Sequence, residues 1–180
     1  RHPTPNMTTI GITGSGGFIG SPLVERFVER GDEVRGLDYN PANAEHARRL
    51  GADVTVGDTR DSEAAAKFAR DCDTIIHTAA RMGEGGVMSE FRDVNVRGTN
   101  TVAQAAVDHG VTRFVHLSSV MVYGFDFPPE VDETGPLDGE NHPYCQTKIE
   151  SEEAIRQFHG QSSGDGDMEG PEVRTPPVVL

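Results

Sequence analysis

The sequence predicts an α/β fold, a doubly wound parallel sheet with helices on both faces. Short β-branched runs alternate with segments whose apolar residues recur at helical spacing, as repeated βαβ units require. Several helical segments stop at a glycine, as at Arg30-Gly31 and His109-Gly110, and the next apolar run follows within a few residues. A glycine-rich turn joins the first apolar run directly to the first helical segment. Connections this short favour right-handed crossovers between parallel strands. A chain of 180 residues is long enough for one well-filled core and too short for two.

Residues 1–6 hold two prolines and no periodicity and read as a leader or tag remnant. From Met7 the predicted strands are Thr9–Thr13, Glu33–Asp38, Asp53–Val56, Thr74–Thr78 and Arg113–Ser118, with a weaker sixth within 172–180, at Val173–Leu180. The predicted helices are Phe18–Arg30, Ala42–Leu50, Ser62–Arg70, Glu90–His109 and Pro143–His159. Gly124–Asn141, rich in proline, glycine and acid, reads as a long surface loop, and residues 160–171 as a flexible linker. Residues 7–159 thus form the single predicted domain.

Composition narrows the function. A net charge of −13 argues against a nucleic-acid partner, which needs a basic surface. No run of about 18 apolar residues exists to span a membrane, and no charged start leads into an apolar stretch, so a cytoplasmic location is expected. Cys72 and Cys145 stand far apart without metal-ligand spacing, so no metal is expected. Only Lys67 and Lys148 carry ammonium groups, which singles out Lys148.

The turn Gly14-Ser15-Gly16-Gly17-Phe18-Ile19-Gly20 follows a strand and opens a helix, the context in which backbone N–H groups and the helix field cradle a pyrophosphate. Gly14 permits the tight turn, Gly17 lets backbone approach the ligand, and Gly20 lets helix and strand pack closely. Asp38 ends the second strand, where a carboxylate accepts from adenosine ribose hydroxyls and repels a 2′-phosphate, so the expected cofactor is NAD rather than NADP. The fold is therefore expected to be Rossmann-type, with strand order 3-2-1-4-5-6.

Tyr144 and Lys148 lie four apart on one helix and share a face. An ammonium near the phenol favours phenolate and suits Tyr144 to general base catalysis on an alcohol. A serine on the fifth strand, among Leu117-Ser118-Ser119, would hold the substrate oxygen against that base. Tyr123 and His77 read as packing or hydrogen-bonding residues.

In these segments, from about Thr9 to Glu153, the chain resembles the extended short-chain dehydrogenase/reductase family, which includes NAD-dependent epimerases and dehydratases and 3β-hydroxysteroid dehydrogenase-like enzymes. The resemblance implies that Asp58, with Thr59 beside it, meets the adenine. It implies that Ala79 and Ala80 line the cofactor, and that Asn95 in Val94-Asn95-Val96-Arg97-Gly98-Thr99 orients backbone or water near Lys148. The family's spacing from Tyr123-Gly124 selects Ser119 over Ser118 as the active serine, beside the Tyr144/Lys148 pair. It further implies hydride transfer between a small-molecule secondary alcohol or ketone, sugar nucleotide or steroid-like, and nicotinamide. Family members often pair as homodimers through the two helices 90–109 and 143–159. They usually carry a further C-terminal substrate domain, which is expected to be missing here, since the chain ends at an expected truncated sixth strand. The alternative is a non-catalytic NAD-binding sensor or interaction protein of the same fold, which would need only the glycine turn and Asp38.

Overall fold

The computed structural model describes residues 7–83, 85–139, 142–159 and 172–174. The expectations for residues 1–6, 160–171 and 175–180 lie outside them. Six strands form one parallel sheet: β1 (Thr9–Thr13), β2 (Glu33–Asp38), β3 (Asp53–Val56), β4 (Thr74–His77), β5 (Arg113–His116) and β6 (Glu172–Arg174). Their order is β3-β2-β1-β4-β5-β6, as expected. The register runs from Thr9 opposite Glu33 on one side of β1 and Ile10 opposite Thr74 on the other.

Alternation along each strand sends neighbouring residues to opposite faces and builds two cores. Ile10 and Ile12 of β1, Val34 of β2 and Ile76 of β4 pack under Val24, Ala44 and Ala47 on one face. Leu37, Ile75 and Phe114 meet Phe68, Val102, Ala106 and Ile155 on the other. Gly11, between Ile10 and Ile12, faces this second core, and a Cβ there would fall 2.9 Å from the Phe68 ring, so a bare backbone is what admits that ring.

The helices are α1 (Gly20–Arg30), α2 (Pro41–Arg49), α3 (Ser62–Ala69), α4 (Met88–Arg92), α5 (Thr99–Asp108) and α6 (Pro143–Arg156). Asn40 and Asp61 cap α2 and α3 with side-chain carbonyl and carboxylate oxygens, and Gly31 ends α1 in the left-handed conformation foreseen for it.

Several boundaries differ from the expected ones, each for a local reason. α1 begins at Gly20 rather than Phe18, because Phe18 and Ile19 complete the turn. The single helix expected over 90–109 is α4 and α5 joined by a π-helical turn, Asp93–Gly98. β4 and β5 each stop at a histidine, since the Thr78 amide turns to the Thr13 hydroxyl and the backbone after His116 bends toward α6. Residues 124–139 contain turns but no helix or strand, as the loop reading expected.

Candidate active site

A cleft of about 790 Å³ opens at the carboxyl ends of β1, β2 and β4, where the chain order reverses across the sheet. Gly14, Gly17, Phe18, Ile19 and Gly20 form its floor, and Asp38, Asp58, Thr59, Ala79, Ala80 and Arg81 its walls. Gly14 has φ +65°, and its amide donates to Leu37 O at 2.7 Å. A Cβ on Gly20 would stand 2.0 Å from Gly14 O, so the turn and the start of α1 close together only as glycines. Phe18 is 96% exposed at the lip. Ser15 and Gly16 sit differently: the Ser15 hydroxyl is buried beside Gly36, and Gly16 packs on the Asn43 backbone. Their side-chain positions face the interior, leaving only their backbones for a ligand.

Asp38 is 4% exposed yet borders the cleft. Its carboxylate accepts from the Gly16 and Asn40 amides, both at 3.0 Å, which aims it across the turn. Asp58 is gripped by a neighbour absent from the sequence expectation. Arg60 donates to Asp58 through its backbone amide, Nε and Nη2, and through Nη1 to Asp93 on the π turn. Those bonds hold the Asp58 carboxyl below its ordinary range and leave it about one of four acceptor positions for an adenine amine. A guanidinium paired to the carboxylate two residues before it was the signal that could have revealed this.

The catalytic candidates converge at the end of β5. Tyr144, Lys148 and Glu152 form an i, i+4, i+8 row on α6. Three consecutive residues of the bend after β5 meet that row. The Leu117 carbonyl accepts from Lys148 Nζ, Ser118 Oγ donates to Glu152, and Ser119 is hydrogen-bonded to the Tyr144 phenol. This geometry separates the two serines, with Ser118 on Glu152 and Ser119 on the tyrosine. Ser119 Oγ also accepts from the Met121 amide at 3.2 Å, capping the 3-10 turn Val120–Tyr123.

The electrostatics correct one expectation. Burial pushes the Tyr144 phenol above its ordinary value, only partly opposed by the Ser119 hydrogen bond, where the sequence had predicted lowering by Lys148. The physical reason is that the Lys148 ammonium is directed to the Leu117 carbonyl. Lys148 itself is 4% exposed, and burial pushes it down to about 8, with the Glu152 charge working in the opposite direction.

Two buried histidines stack beneath the site, His77 on His116 at 5.6 Å between ring centres. Thr99 Oγ1 donates to Asn95 O, so it accepts from His77 Nε2–H at 2.9 Å. His77 Nδ1 then accepts from Thr13 Oγ1, which in turn accepts from the Thr78 and Ala79 amides at 3.1 Å. The ring is a neutral hydrogen-bond bridge, as the sequence suggested. Burial, with Lys148 second, pushes it down to about 3.

Asn95 stands on the π turn and is 2% exposed. Its carbonyl accepts from the Arg81 amide at 2.7 Å, and its amide donates to Arg81 O and to Thr147 Oγ1. It therefore ties the cleft wall to α6 beside Lys148.

Among the described residues, no cluster of histidine, cysteine or acidic side chains could hold a metal, and no helix is long and apolar enough to cross a membrane. The glycine floor, the helix start and the Asp38 carboxylate fit a dinucleotide's pyrophosphate and ribose.

Residues 10–165 match the family described as NAD dependent epimerase/dehydratase family. Over 83% of the chain, 36% of residues are identical to a 3-beta-hydroxysteroid dehydrogenase from Mycolicibacterium neoaurum, covering 43% of that protein. Over 82%, 30% are identical to a UDP-glucose 4-epimerase from Erwinia amylovora, covering 47% of it. A dTDP-glucose 4,6-dehydratase from Streptomyces venezuelae, solved with NAD bound, superposes with a TM-score of 0.78 at 32% identity, covering 94% of this chain and 55% of that one. The chain spans about half the length of the relatives it matches.

Proposed function

The chain belongs to the NAD-dependent epimerase/dehydratase family, and from that premise we propose that it carries the cofactor site and the acid/base residues of an enzyme that moves hydride between a substrate secondary alcohol or ketone and nicotinamide. The substrate class is a sugar nucleotide or steroid-like molecule, in line with the names of its relatives. One observation supports the reading above the others: the bend after β5 meets one face of α6, with Ser119 hydrogen-bonded to Tyr144 and the Leu117 carbonyl accepting from Lys148 one turn on.

NAD supplies a hydride acceptor or donor when bound. The floor from Gly14 to Gly20 would hold its pyrophosphate and Asp38 its adenosine ribose, with Ala79 and Ala80 on the cleft wall beside it. Ser119 Oγ holds the substrate oxygen against the Tyr144 hydroxyl. In the reducing direction Tyr144 gives its proton to that oxygen. In the oxidising direction it must first lose the proton; its raised pKa makes that loss harder and moves it to higher pH. The buried Lys148 ammonium is the positive group nearest this pair on α6, one turn on, and turning it from Leu117 O toward the phenol would favour phenolate.

Tyr144→Phe tests the reading in a preparation that turns over. Turnover is expected to fall by about 10²–10⁴-fold with NAD binding kept. Unchanged turnover would refute the acid/base role and leave an NAD-binding protein whose catalysis lies elsewhere.

A further inference from the structure

The Tyr144/Lys148 pair does not exhaust the row on α6. Glu152 continues it by one turn, is 8% exposed, and receives a short hydrogen bond from Ser118, the residue between the Lys148 carbonyl partner and the Tyr144 hydroxyl partner. Arg156 meets the same carboxylate from the solvent side at 3.3 Å. A carboxylate this deep is costly unless it is hydrogen-bonded and faces positive charge. Here both conditions hold, because the bend at 117–119 and the row at 144–152 are stitched at each of three consecutive residues.

We propose that Glu152 is a positioning residue of this site: held by Ser118, its carboxylate fixes the bend after β5 against α6 and sets a negative charge one turn from Lys148 on the same helix face. The proposal rests on Tyr144 and Lys148 being the acid/base pair, but its test reads the charge of Lys148 and not turnover. Other groups around the ammonium cannot take over this role. His77 from β4 and His116 from β5 both bear on Lys148, and burial keeps both imidazoles neutral. Tyr144, on α6 itself, is kept protonated by burial. Glu152 is the neighbour whose charge favours the ammonium, against burial that pushes it down to about 8. Losing that charge would let Lys148 become neutral in the range where the enzyme works, and a neutral amine cannot stabilise a phenolate.

The sequence makes the measurement direct. Lys67 and Lys148 are the chain's only lysines, and Lys67 is exposed. Carbon-13 labelling of lysine Cε therefore gives two NMR signals, with the exposed Lys67 as the internal reference. In the unmodified chain Lys148 is expected to titrate below the ordinary lysine range, because burial pushes it down to about 8. Glu152→Gln keeps an acceptor for Ser118 while removing the charge. The Lys148 midpoint is expected to fall by about 1–3 pH units, the range for an opposite charge within ~4–6 Å, with Lys67 unmoved. Glu152→Asp withdraws the carboxylate by one methylene and should lower the midpoint in the same direction by less, which keeps the test alive if the glutamine variant does not fold. An unmoved Lys148 midpoint in either folded variant would overturn the assignment, whatever the outcome for Tyr144→Phe.

Discussion

The proposed preference for NAD over NADP rests on one side chain, Asp38. It is nearly buried, its oxygens are aimed by the Gly16 and Asn40 amides, and it stands at the cleft where the second ribose would lie. A 2′-phosphate there would meet a carboxylate at short range in a poorly hydrated corner. NADH is accordingly expected to bind at least about tenfold more tightly than NADPH, a difference of about 1.4 kcal/mol. Asp38→Ala should shrink that ratio by weakening NADH more than NADPH. Fluorescence titration with both nucleotides measures it, and tighter NADPH binding by the unmodified chain would contradict the assignment. Asp38 was readable in the sequence as the acidic residue that ends the second strand, about 20 residues beyond the glycine turn. Glu152 was not, since an acidic residue one turn beyond a lysine is ordinary on a helix surface, and only the bend of Leu117-Ser118-Ser119 reveals that this face of α6 is inward.

At the level of elements, the first five strands were readable to within a residue or two, because alternation and β-branching report directly on a doubly covered parallel sheet. The break in the 90–109 helix was not, since the apolar period continues through it. What the π turn adds is one residue of offset between α4 and α5. That offset sets Asn95 between Arg81 and Thr147, and Gly98 against Thr59, where a Cβ would stand 2.6 Å from the hydroxyl. Asn95→Ala leaves the Arg81 amide and carbonyl without these partners and is expected to cost about 1–3 kcal/mol per buried group left unpaired. Urea unfolding of the variant measures the loss. A midpoint equal to that of the unmodified chain would mean that water replaces the clamp.

For the molecule as a whole, the buried histidines set an acid limit. His77 is lowered to about 3 from an ordinary 6.5, and His116 is also lowered well below its ordinary value, in both cases first by burial. Between those folded values and 6.5 the unfolded chain binds more protons than the folded one, so stability rises with pH in that window and is lost on acidification. The carboxylates Asp58 and Asp93 are lowered and lose their contribution only below about 4. The melting temperature is therefore expected to fall already between pH 7 and pH 5, and His77→Gln to flatten that fall. A melting temperature level from pH 7 to 5 would contradict this account.

The reversal of strand order beside β1 also governs how the chain is made. β1 can pair with β2 as soon as Asp38 has left the ribosome, but its other edge waits for β4, whose Thr74 lies opposite Ile10. At ~5–20 residues per second, the stretch from Asp38 to His77 takes about 2–8 seconds to emerge. During that interval an apolar strand in the middle of the future sheet presents an open edge to any neighbouring nascent chain. Slower synthesis or crowded expression lengthens this exposure, and the yield of soluble protein should depend on how quickly residues 74–77 arrive.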